Sequence, residues 1–206
     1  MNQKIIGLVG LIGSGKGTVA SYLVKKHNFR NISFAGHLKD AVACVFRWPR
    51  TLLEGDTEYS RAWREEVDTW WANRLNIPHL SPRWILQNWG TEVLRYGFHD
   101  DIWIASLENQ LLEEANQNFV ISDVRFPNEI KMIQNIGGEI WRINRGNLPE
   151  WATIQYENFE DLSRYMTMYY PSVHASEWSW IINNFDKNIN NDADVDELYK
   201  KVDQCL

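Results

Sequence analysis

Near its N terminus the chain carries a glycine-rich turn, GLIGSGK at residues 10–16, between two segments of different periodicity. Before the turn, residues 5–9 are apolar without alternation, which is typical of a strand buried on both faces of a parallel sheet. After it, Val19, Ala20 and Leu23 recur at helical spacing. This strand–turn–helix unit predicts an α/β fold, in which helices cover the sheet.

The turn also fits the G-x-x-x-x-G-K pattern, in which backbone N–H groups and a helix N terminus bind phosphate. Lys16 can then reach the β- and γ-phosphates of ATP. The alternative is a glycine-rich turn with an exposed lysine and no ligand. Because Gly17 follows Lys16, Thr18 is the candidate contact for Mg²⁺, directly or through water. The predicted nucleotide-binding residues of the turn are Gly13, Ser14, Gly15, Lys16, Gly17 and Thr18.

Composition narrows the classes of partner. The 206 residues carry a formal net charge of -6, which argues against broad binding to nucleic-acid polymers but allows a local cation cluster. No apolar run approaches the roughly 18 residues of a membrane span, and the N terminus does not read as a signal peptide. Cys44 and Cys205 form no disulfide or metal pattern. We expect a cytoplasmic protein without a membrane partner, and we leave open whether it forms a homodimer.

Strands and helices alternate at both ends of the chain, so we predict a single three-layer α/β domain with a central parallel sheet of about five strands. The expected core comprises about 1–35, 118–145 and 179–206. A helical insertion of about 36–117 interrupts it, and an irregular lid region follows at about 146–178.

Within the insertion, the periodicity predicts one charged helix over residues 58–75. A second helix is expected to begin at Pro82, with Ser81 as its cap, and to end before Gly97. A third can begin at Asp100.

A phosphate-binding turn alone does not distinguish a kinase from a switch or a motor. The Asn-Lys-x-Asp string of guanine-specific switches is absent from the sequence. A small-molecule kinase must hold two anionic substrates close together, which requires several cations. The candidates are Lys39, Arg61, Arg64, Arg83, Arg95, Arg125, Arg142 and Arg145.

The string VISDVRFPNE at residues 120–129 resembles the deoxynucleoside monophosphate kinases of tailed bacteriophages. The turn itself, GSGKGT, resembles that of adenylate kinase. Further stretches similar to the phage family lie, in the same order, at residues 34–39, 61–66, 86–104, 174–177 and 190–192.

The resemblance implies a P-loop kinase that transfers the γ-phosphate of ATP, with Mg²⁺, to a deoxynucleoside 5′-monophosphate in the host cytoplasm. Two alternatives stay open. One is another small P-loop kinase, acting on dephospho-coenzyme A or a nucleoside, and the other is a nucleotide-binding switch that transfers no phosphate.

Besides Lys16, the catalytic candidates are Asp123 and Arg125, which follow the strand at residues 119–121. Asp123 stands where an acid that orients Mg²⁺ or the attacking phosphate is usual, and a capping role is the alternative. Arg125 could neutralise charge on the transferring phosphoryl group, or could instead pair with Glu129. The scheme requires no general base.

The remaining candidates concern the acceptor and the lid. As the resemblance suggests, Lys39 could meet the acceptor phosphate, and Arg61 and Arg64 share a helical face that could clamp it, with Arg64 preferred. Solvated lysine and intrahelical pairing are the alternatives. Polar groups that could bind the base, or form an ordinary solvated face, are Gln87, Thr91, Glu92 and Arg95.

The resemblance makes His174 and Glu177 possible elements of the acceptor site, whereas a lone histidine is usually structural. Arg145 is a candidate cation for ATP at the lid, and strand alternation places Arg142 on the opposite side. Four tryptophans at periodic apolar positions are predicted core residues: Trp70, Trp89, Trp103 and Trp141. Three near the polar candidates could stack on the base or exclude a ribose 2′-hydroxyl: Trp63, Trp84 and Trp151.

Overall fold

The computed structural model describes residues 3–114 and 116–206. The chain divides into two compact units. We call the first, Met1–Ser33 with Gln110–Leu206, the sheet unit, and the second, Phe34–Asn109, the helical unit. None of the helices in the described ranges is both long and apolar enough to cross a membrane.

The sheet unit contains one five-stranded sheet. Its strands are β1 (Ile5–Val9), β2 (Phe29–Ile32), β3 (Asn118–Ile121), β4 (Glu139–Asn144) and β5 (Lys187–Asn190). They lie in the order β2-β3-β1-β4-β5, and every neighbouring pair is parallel. The predicted parallel sheet of about five strands is therefore confirmed. Because β1 is central, the turn that follows it leaves the carboxyl edge of the sheet between the ends of β3 and β4, which is where ligands bind in such folds.

Helices make up the rest of the regular structure. In chain order the described residues form α1 (Lys16–His27), α2 (Gly36–Phe46), α3 (Glu58–Glu65), α4 (Thr69–Leu75), α5 (Pro82–Gln87), α6 (Ile102–Glu113), α7 (Pro127–Asn135), α8 (Phe159–Tyr169), α9 (Ala175–Trp178) and α10 (Val195–Cys205), with a π-helix at Asn88–Tyr96 and a 3₁₀ turn at Glu150–Ala152. The helical unit, all of whose residues are described, contains no strand.

Both faces of the sheet are covered, because successive side chains of a strand point to opposite sides. Leu8 of β1 belongs to a buried cluster with Leu23 of α1 and Leu198 of α10. Gly7 faces the other side, where a Cβ atom at this position would lie 2.8 Å from Ile133 of α7. The sheet thus has helices on both faces, and the predicted three-layer α/β fold is confirmed.

The prediction of one helix over residues 58–75 is wrong, since α3 and α4 are separate. Glu66 is extended, with φ −71° and ψ 136°. Asp68 then caps α4, and its carboxylate accepts the backbone N–H of Trp71 at 3.1 Å. An aspartate gains this local hydrogen bond only at a cap, so capping prevails over the apolar periodicity that continues through the break.

The next helix begins as predicted, because Ser81 Oγ accepts the backbone N–H of Trp84 at 3.2 Å. Beyond α5, however, the chain continues as the π-helix. The N–H of Gly97 there bonds the carbonyl of Glu92, five residues back, at 3.0 Å. This wider turn disrupts the predicted i, i+4, i+8 face of three polar residues, Gln87, Thr91 and Arg95. The third helix begins at Ile102, slightly later than Asp100 suggested.

The prediction that residues 146–178 are irregular is wrong over α8. The side chain of Asn158 accepts the N–H of Asp161 at 3.0 Å and so caps this helix. Its apolar face, with Leu162 and Met166, is buried in a cluster that includes Trp151. The segment is rich in polar residues, and its few apolar side chains at i and i+4 were the overlooked helical signal.

The predicted core tryptophans divide. Trp103 and Trp141 are buried, and Trp89 is half-buried against Phe46. Trp70 is 62% exposed, so its assignment to the core is wrong. Its neighbour Trp71 is half-buried instead, with its Nε1 donating to the carbonyl of Phe46 at 3.2 Å.

Candidate functional site

A cavity of about 410 Å³ lies in the sheet unit. The residues that line it come from the turn after β1, the segment after β3, the end of β4 and the region of α9: Gly10, Ile12, Gly13, Gly15, Lys16, Gly17, Thr18, Ser122, Val124, Arg125, Arg145, Ser176, Glu177 and Trp180. The cavity therefore brings together most of the predicted nucleotide-binding residues with Arg125, Arg145 and Glu177. A larger apolar depression of about 650 Å³ lies on α8, away from these residues.

The glycine-rich turn forms one wall through its backbone. Gly15 precedes α1 in the left-handed conformation, with φ 104°, and the helix begins at Lys16. The first N–H groups of a helix have no partner within the helix and carry partial positive charge, so they favour an anion at this position. Ser14 is the predicted turn residue that does not line the cavity. Its buried hydroxyl has no hydrogen-bond partner.

Lys16 is bound to the turn itself. Its Nζ donates to the carbonyl oxygens of Gly10 at 2.7 Å and Leu11 at 3.0 Å. Burial and, to a smaller extent, the charge of Arg125 together lower the pKa of Lys16 from 10.5 to about 8, against an opposite contribution from Glu177. A charged amine in this place is therefore destabilised until an anion arrives.

Arg125 lies in the cavity and is held both through its guanidinium and through its backbone. Its guanidinium donates to Glu177 at 2.7 Å and to Ser176 Oγ at 3.2 Å. The alternative partner named from the sequence, Glu129, instead accepts the backbone N–H groups of Arg125 at 2.8 Å and Phe126 at 3.1 Å. Glu129 thus fixes the backbone of the segment, and the guanidinium pairs with Glu177.

His174 has a structural place beside this pair. It caps α9, with Nδ1 accepting the N–H of Ser176 at 3.2 Å and lying 2.9 Å from Ser176 Oγ. Through Ser176 it is linked to Arg125. The sequence pattern His-Ala-Ser-Glu therefore assembles a support for a cation of the cavity, and its assignment to the acceptor site stays a prediction.

Asp123 is half-buried in the turn after β3, between two residues that line the cavity, Ser122 and Val124. Thr18 lines the cavity directly. No group of three or more His, Cys, Asp or Glu side chains suited to a metal ion occurs in the described ranges. A hydroxyl and a single carboxylate nevertheless suit Mg²⁺, which usually keeps several waters and binds substrate phosphates with one or two protein ligands.

Arg142 lies in β4 and Arg145 directly follows this strand, and the placement of Arg142 on the side opposite Arg145 stays a prediction. Arg145 is exposed and lines the cavity. Arg142 is half-buried, with its guanidinium 5.4 Å from the ring centroid of Trp180 and 5.5 Å from that of Phe185. Burial lowers the pKa of Arg142, and its Nε is buried without a hydrogen-bond partner. Trp180, which sequence reasoning missed, therefore has one neighbour in Arg142 and also lines the cavity.

The helical unit carries a second group of cations, which we call the Arg64 cluster: Lys39, Arg50, Arg61, Arg64 and Arg83. Lys39 donates to Glu54 at 2.6 Å, and Arg50 pairs with both Glu54 and Asp40. Arg83 lies 3.9 Å from Glu65.

Arg64 differs from its neighbours in the cluster. Its Nε is buried without a hydrogen-bond partner. The guanidinium packs against Gly55 so closely that a Cβ atom there would lie 2.0 Å from Cζ. Burial lowers the pKa of Arg64, and the positive charge of Arg83 acts in the same direction. A polar donor held in this way has an unmet requirement for an acceptor.

Of the four candidates for contacts with the base, Gln87 and Glu92 are exposed, whereas Thr91 and Arg95 are half-buried. Gln87 ends α5, and Glu92 lies in the π-helix. Among the predicted stacking residues, Trp63 and Trp84 are half-buried, with edge contacts to Trp48 and His79, and Trp151 is only 6% exposed.

Comparison with known proteins gives related enzymes. No family model matches the chain. It is 28% identical over 219 aligned residues, 98% of its length and 95% of the relative's, to an Acanthamoeba polyphaga mimivirus protein described provisionally as a deoxynucleotide monophosphate kinase. Over 55 residues, 27% of the chain and 22% of the relative, it is 42% identical to the deoxynucleoside-5′-monophosphate kinase of Escherichia phage T5. The resemblance predicted from residues 120–129 is thereby confirmed.

Among solved structures, dephospho-CoA kinase from Campylobacter jejuni aligns with 98% of the chain and 95% of its own length, at 16% identity and a TM-score of 0.47.

Proposed function

We propose that the protein is a kinase that transfers the γ-phosphate of ATP to a deoxynucleoside 5′-monophosphate, giving the diphosphate and ADP. The observation that carries the proposal is the joint placement of Lys16 and Arg125 in one cavity beside the glycine-rich turn. The viral relative that aligns with nearly the whole chain supplies the class of acceptor.

In this scheme the turn binds the polyphosphate through its backbone N–H groups and those at the start of α1. Lys16 exchanges its two carbonyl partners for phosphate oxygens, and Arg145 adds a further positive charge at the rim. Thr18 and Asp123 would hold Mg²⁺, which neutralises phosphate charge when bound. Phosphoryl transfer asks little covalent chemistry of side chains, so positioning and charge neutralisation carry the rate.

Arg125 is the residue that we assign to the transferring phosphoryl group. Its guanidinium already has a carboxylate partner in Glu177, so a phosphate oxygen must either replace Glu177 or bind the guanidinium together with it. Glu177 and Ser176 hold the guanidinium in the cavity before substrates arrive, which lowers the entropy lost when the transition state forms. His174 contributes by fixing Ser176.

For the acceptor we propose the Arg64 cluster as the phosphate site. The unpartnered Nε of Arg64 and the neighbouring charge of Arg83 both favour an anion. Lys39 is the second cation, once its ion pair with Glu54 breaks. Gln87 and Glu92 stay the candidates for contacts with the base, since both are exposed and polar.

Residues 146–178 are the proposed lid. Closure of the lid would exclude water and suppress ATP hydrolysis.

The test is an activity assay on the purified chain with ATP, Mg²⁺ and each of the four common deoxynucleoside monophosphates in turn. We expect ADP and the corresponding diphosphate with at least one of them. Dephospho-coenzyme A and deoxynucleosides serve as competing acceptors. Phosphorylation of these alone would identify another small-molecule kinase, and ATP binding without transfer to any acceptor would identify a switch.

A further inference from the structure

The residues just after β5 contact two walls of the cavity without lining it. Asn191 is 8% exposed, and its side-chain Nδ2 donates to the carbonyl oxygen of Ser14 at 2.9 Å. Its backbone N–H donates to the carbonyl of Asn144, at the end of β4, at 2.7 Å. Asn191 is therefore fixed to the edge of the sheet and in turn holds the glycine-rich turn.

Asp192 makes the matching contact on the other wall. Its Oδ1 accepts the backbone N–H of Gly146 at 2.6 Å. Gly146 follows Arg145, a cation that lines the cavity. Two consecutive residues of one strand end thus hold the turn that binds phosphate and the turn that carries Arg145.

The contact to Ser14 determines the direction of an N–H group. In a trans peptide the C=O of one residue and the N–H of the next point in opposite directions. The Ser14 carbonyl points to Asn191, so the N–H of Gly15 points away from Asn191. Gly15 lines the cavity and has φ 104°, a conformation in which a glycine peptide can rotate at little steric cost.

A rotated Ser14–Gly15 peptide would present its carbonyl oxygen where an amide donor is needed. An oxygen facing a phosphate repels it, whereas an N–H group binds it. The hydrogen bond from Asn191 opposes this rotation. The fit is close, since a Cβ atom at Gly15 would lie 2.4 Å from Nδ2 of Asn191.

We propose that Asn191 and Asp192 are positioning residues for ATP, with Asn191 locking the Ser14–Gly15 peptide in its phosphate-binding orientation and Asp192 holding the turn of Arg145. The inference rests on the proposed function in so far as ATP is the nucleotide bound. Neither side chain touches the substrate in this scheme, so both act on ATP affinity through the backbone.

The experiment compares Asn191→Ala, Asn191→Asp and the neighbouring control Asn190→Ala. Asn190 is exposed, and its side chain lies 3.5 Å from Asn144. Binding of a fluorescent ATP analogue is measured by titration, and KM values for ATP and the deoxynucleotide are measured separately. Loss of one buried hydrogen bond predicts about tenfold weaker ATP binding for Asn191→Ala. The control should stay within about twofold of the wild type, as surface substitutions usually do.

Asn191→Asp keeps the size of the side chain but sets a carboxylate oxygen against the Ser14 carbonyl, so it should bind ATP no better than Asn191→Ala. Asp192→Asn can still accept from Gly146 and should restore the affinity that Asp192→Ala loses. All affinities are measured well below the melting temperature of each variant, so that a purely structural role would leave them unchanged. If an Asn191 variant does not fold, the comparison of Asp192→Asn with Asp192→Ala still tests the positioning role at the other wall.

The outcomes separate the two proposals. A wild-type protein that binds ATP but phosphorylates no acceptor refutes the kinase function, while the affinity series still tests Asn191. Equal ATP affinities for Asn191→Ala and Asn190→Ala, with deoxynucleotide phosphorylation intact, overturn the positioning role alone. A wild-type protein that binds no ATP overturns both.

Discussion

The cavity of the sheet unit and the Arg64 cluster of the helical unit hold their cations by different means. In the cavity, backbone groups contribute directly to the positions. Lys16 begins a helix and donates to two carbonyl groups, and Glu129 accepts the backbone N–H of Arg125, whose guanidinium also pairs with Glu177. In the cluster, side-chain ion pairs such as Lys39–Glu54 set them. Partly exposed pairs of this kind contribute at most about 1 kcal/mol each, so they are readily exchanged.

The difference fits the proposal that the two regions bind different substrates. A site fixed by the backbone is organised before its ligand arrives, which suits the nucleotide present in every turnover. Lys39, Arg50 and Glu54 can separate and pair again, which suits an acceptor that enters and leaves. Arg64 is the exception within its cluster, since its buried Nε has no partner to exchange. The predictions below test whether the two regions differ in this way.

The largest expected effect belongs to the cavity. Removing a cation that neutralises a transferring phosphoryl group typically costs several orders of magnitude, so Arg125→Ala should lower kcat by about 10³-fold. The control is Lys200→Ala, because that side chain is 70% exposed on α10 and lies 3.6 Å from Glu197 one turn away. Turnover is measured with saturating ATP and deoxynucleotide. Near-normal turnover of a folded Arg125→Ala protein would remove Arg125 from the mechanism.

In the helical unit we expect a smaller effect on a different parameter. A charge-assisted hydrogen bond is worth about 1.5–3 kcal/mol, so Arg64→Ala should raise the KM for the deoxynucleotide by about 30-fold. The KM for ATP should stay unchanged. Arg74→Ala, at the exposed end of α4, is the control. If instead ATP affinity falls and the acceptor KM does not, the two regions do not divide the substrates as proposed.

The backbone-defined parts of this molecule were also the ones that sequence could predict. The uninterrupted apolar run at residues 5–9 and the glycines after it favour one local geometry, so the central strand, the glycine-rich turn and the three-layer fold follow from residues close together in the chain. The helical insertion was likewise expected, because no alternating pattern occurs in it.

Contacts between distant residues could not be predicted. Arg125 and Glu177 are 52 positions apart, and Asn191 and Ser14 are 177 apart. The sequence named Arg125 and Glu177 separately, and a family resemblance placed Glu177 with the acceptor, but only the fold brings the two charges together. Asn191 gave one local signal: a small amide directly after a parallel strand, at the edge where ligands bind.

The wrong predictions of helices arose where local hydrogen bonds prevail over apolar periodicity. Asp68 and Asn158 each begin a helix because their side chains accept a backbone N–H, and apolar periodicity does not register such caps. At Asn88–Tyr96 the π-turn changes the spacing on which the predicted polar face depended. Cap residues and spacing must therefore be considered together with periodicity.

The smallest predicted effect tests whether the cavity is indeed organised in advance at an energetic cost. Burial lowers the pKa of Lys16 to about 8, whereas the unfolded chain keeps its proton up to about 10.5. The stability of the nucleotide-free protein should therefore rise with pH between about 8 and 10.5, where the unfolded state binds the additional proton. ATP favours the charged amine, so the same titration should weaken ATP binding about tenfold from pH 7 to pH 9. Titrations with a fluorescent ATP analogue at each pH, on the wild type and on Lys16→Met, measure this change in affinity. The variant should show no such dependence on pH. An ATP affinity of the wild type that stays flat over this range would mean that Lys16 is not the buried, partly neutral amine described, and the contrast with the exchangeable pairs of the Arg64 cluster would disappear.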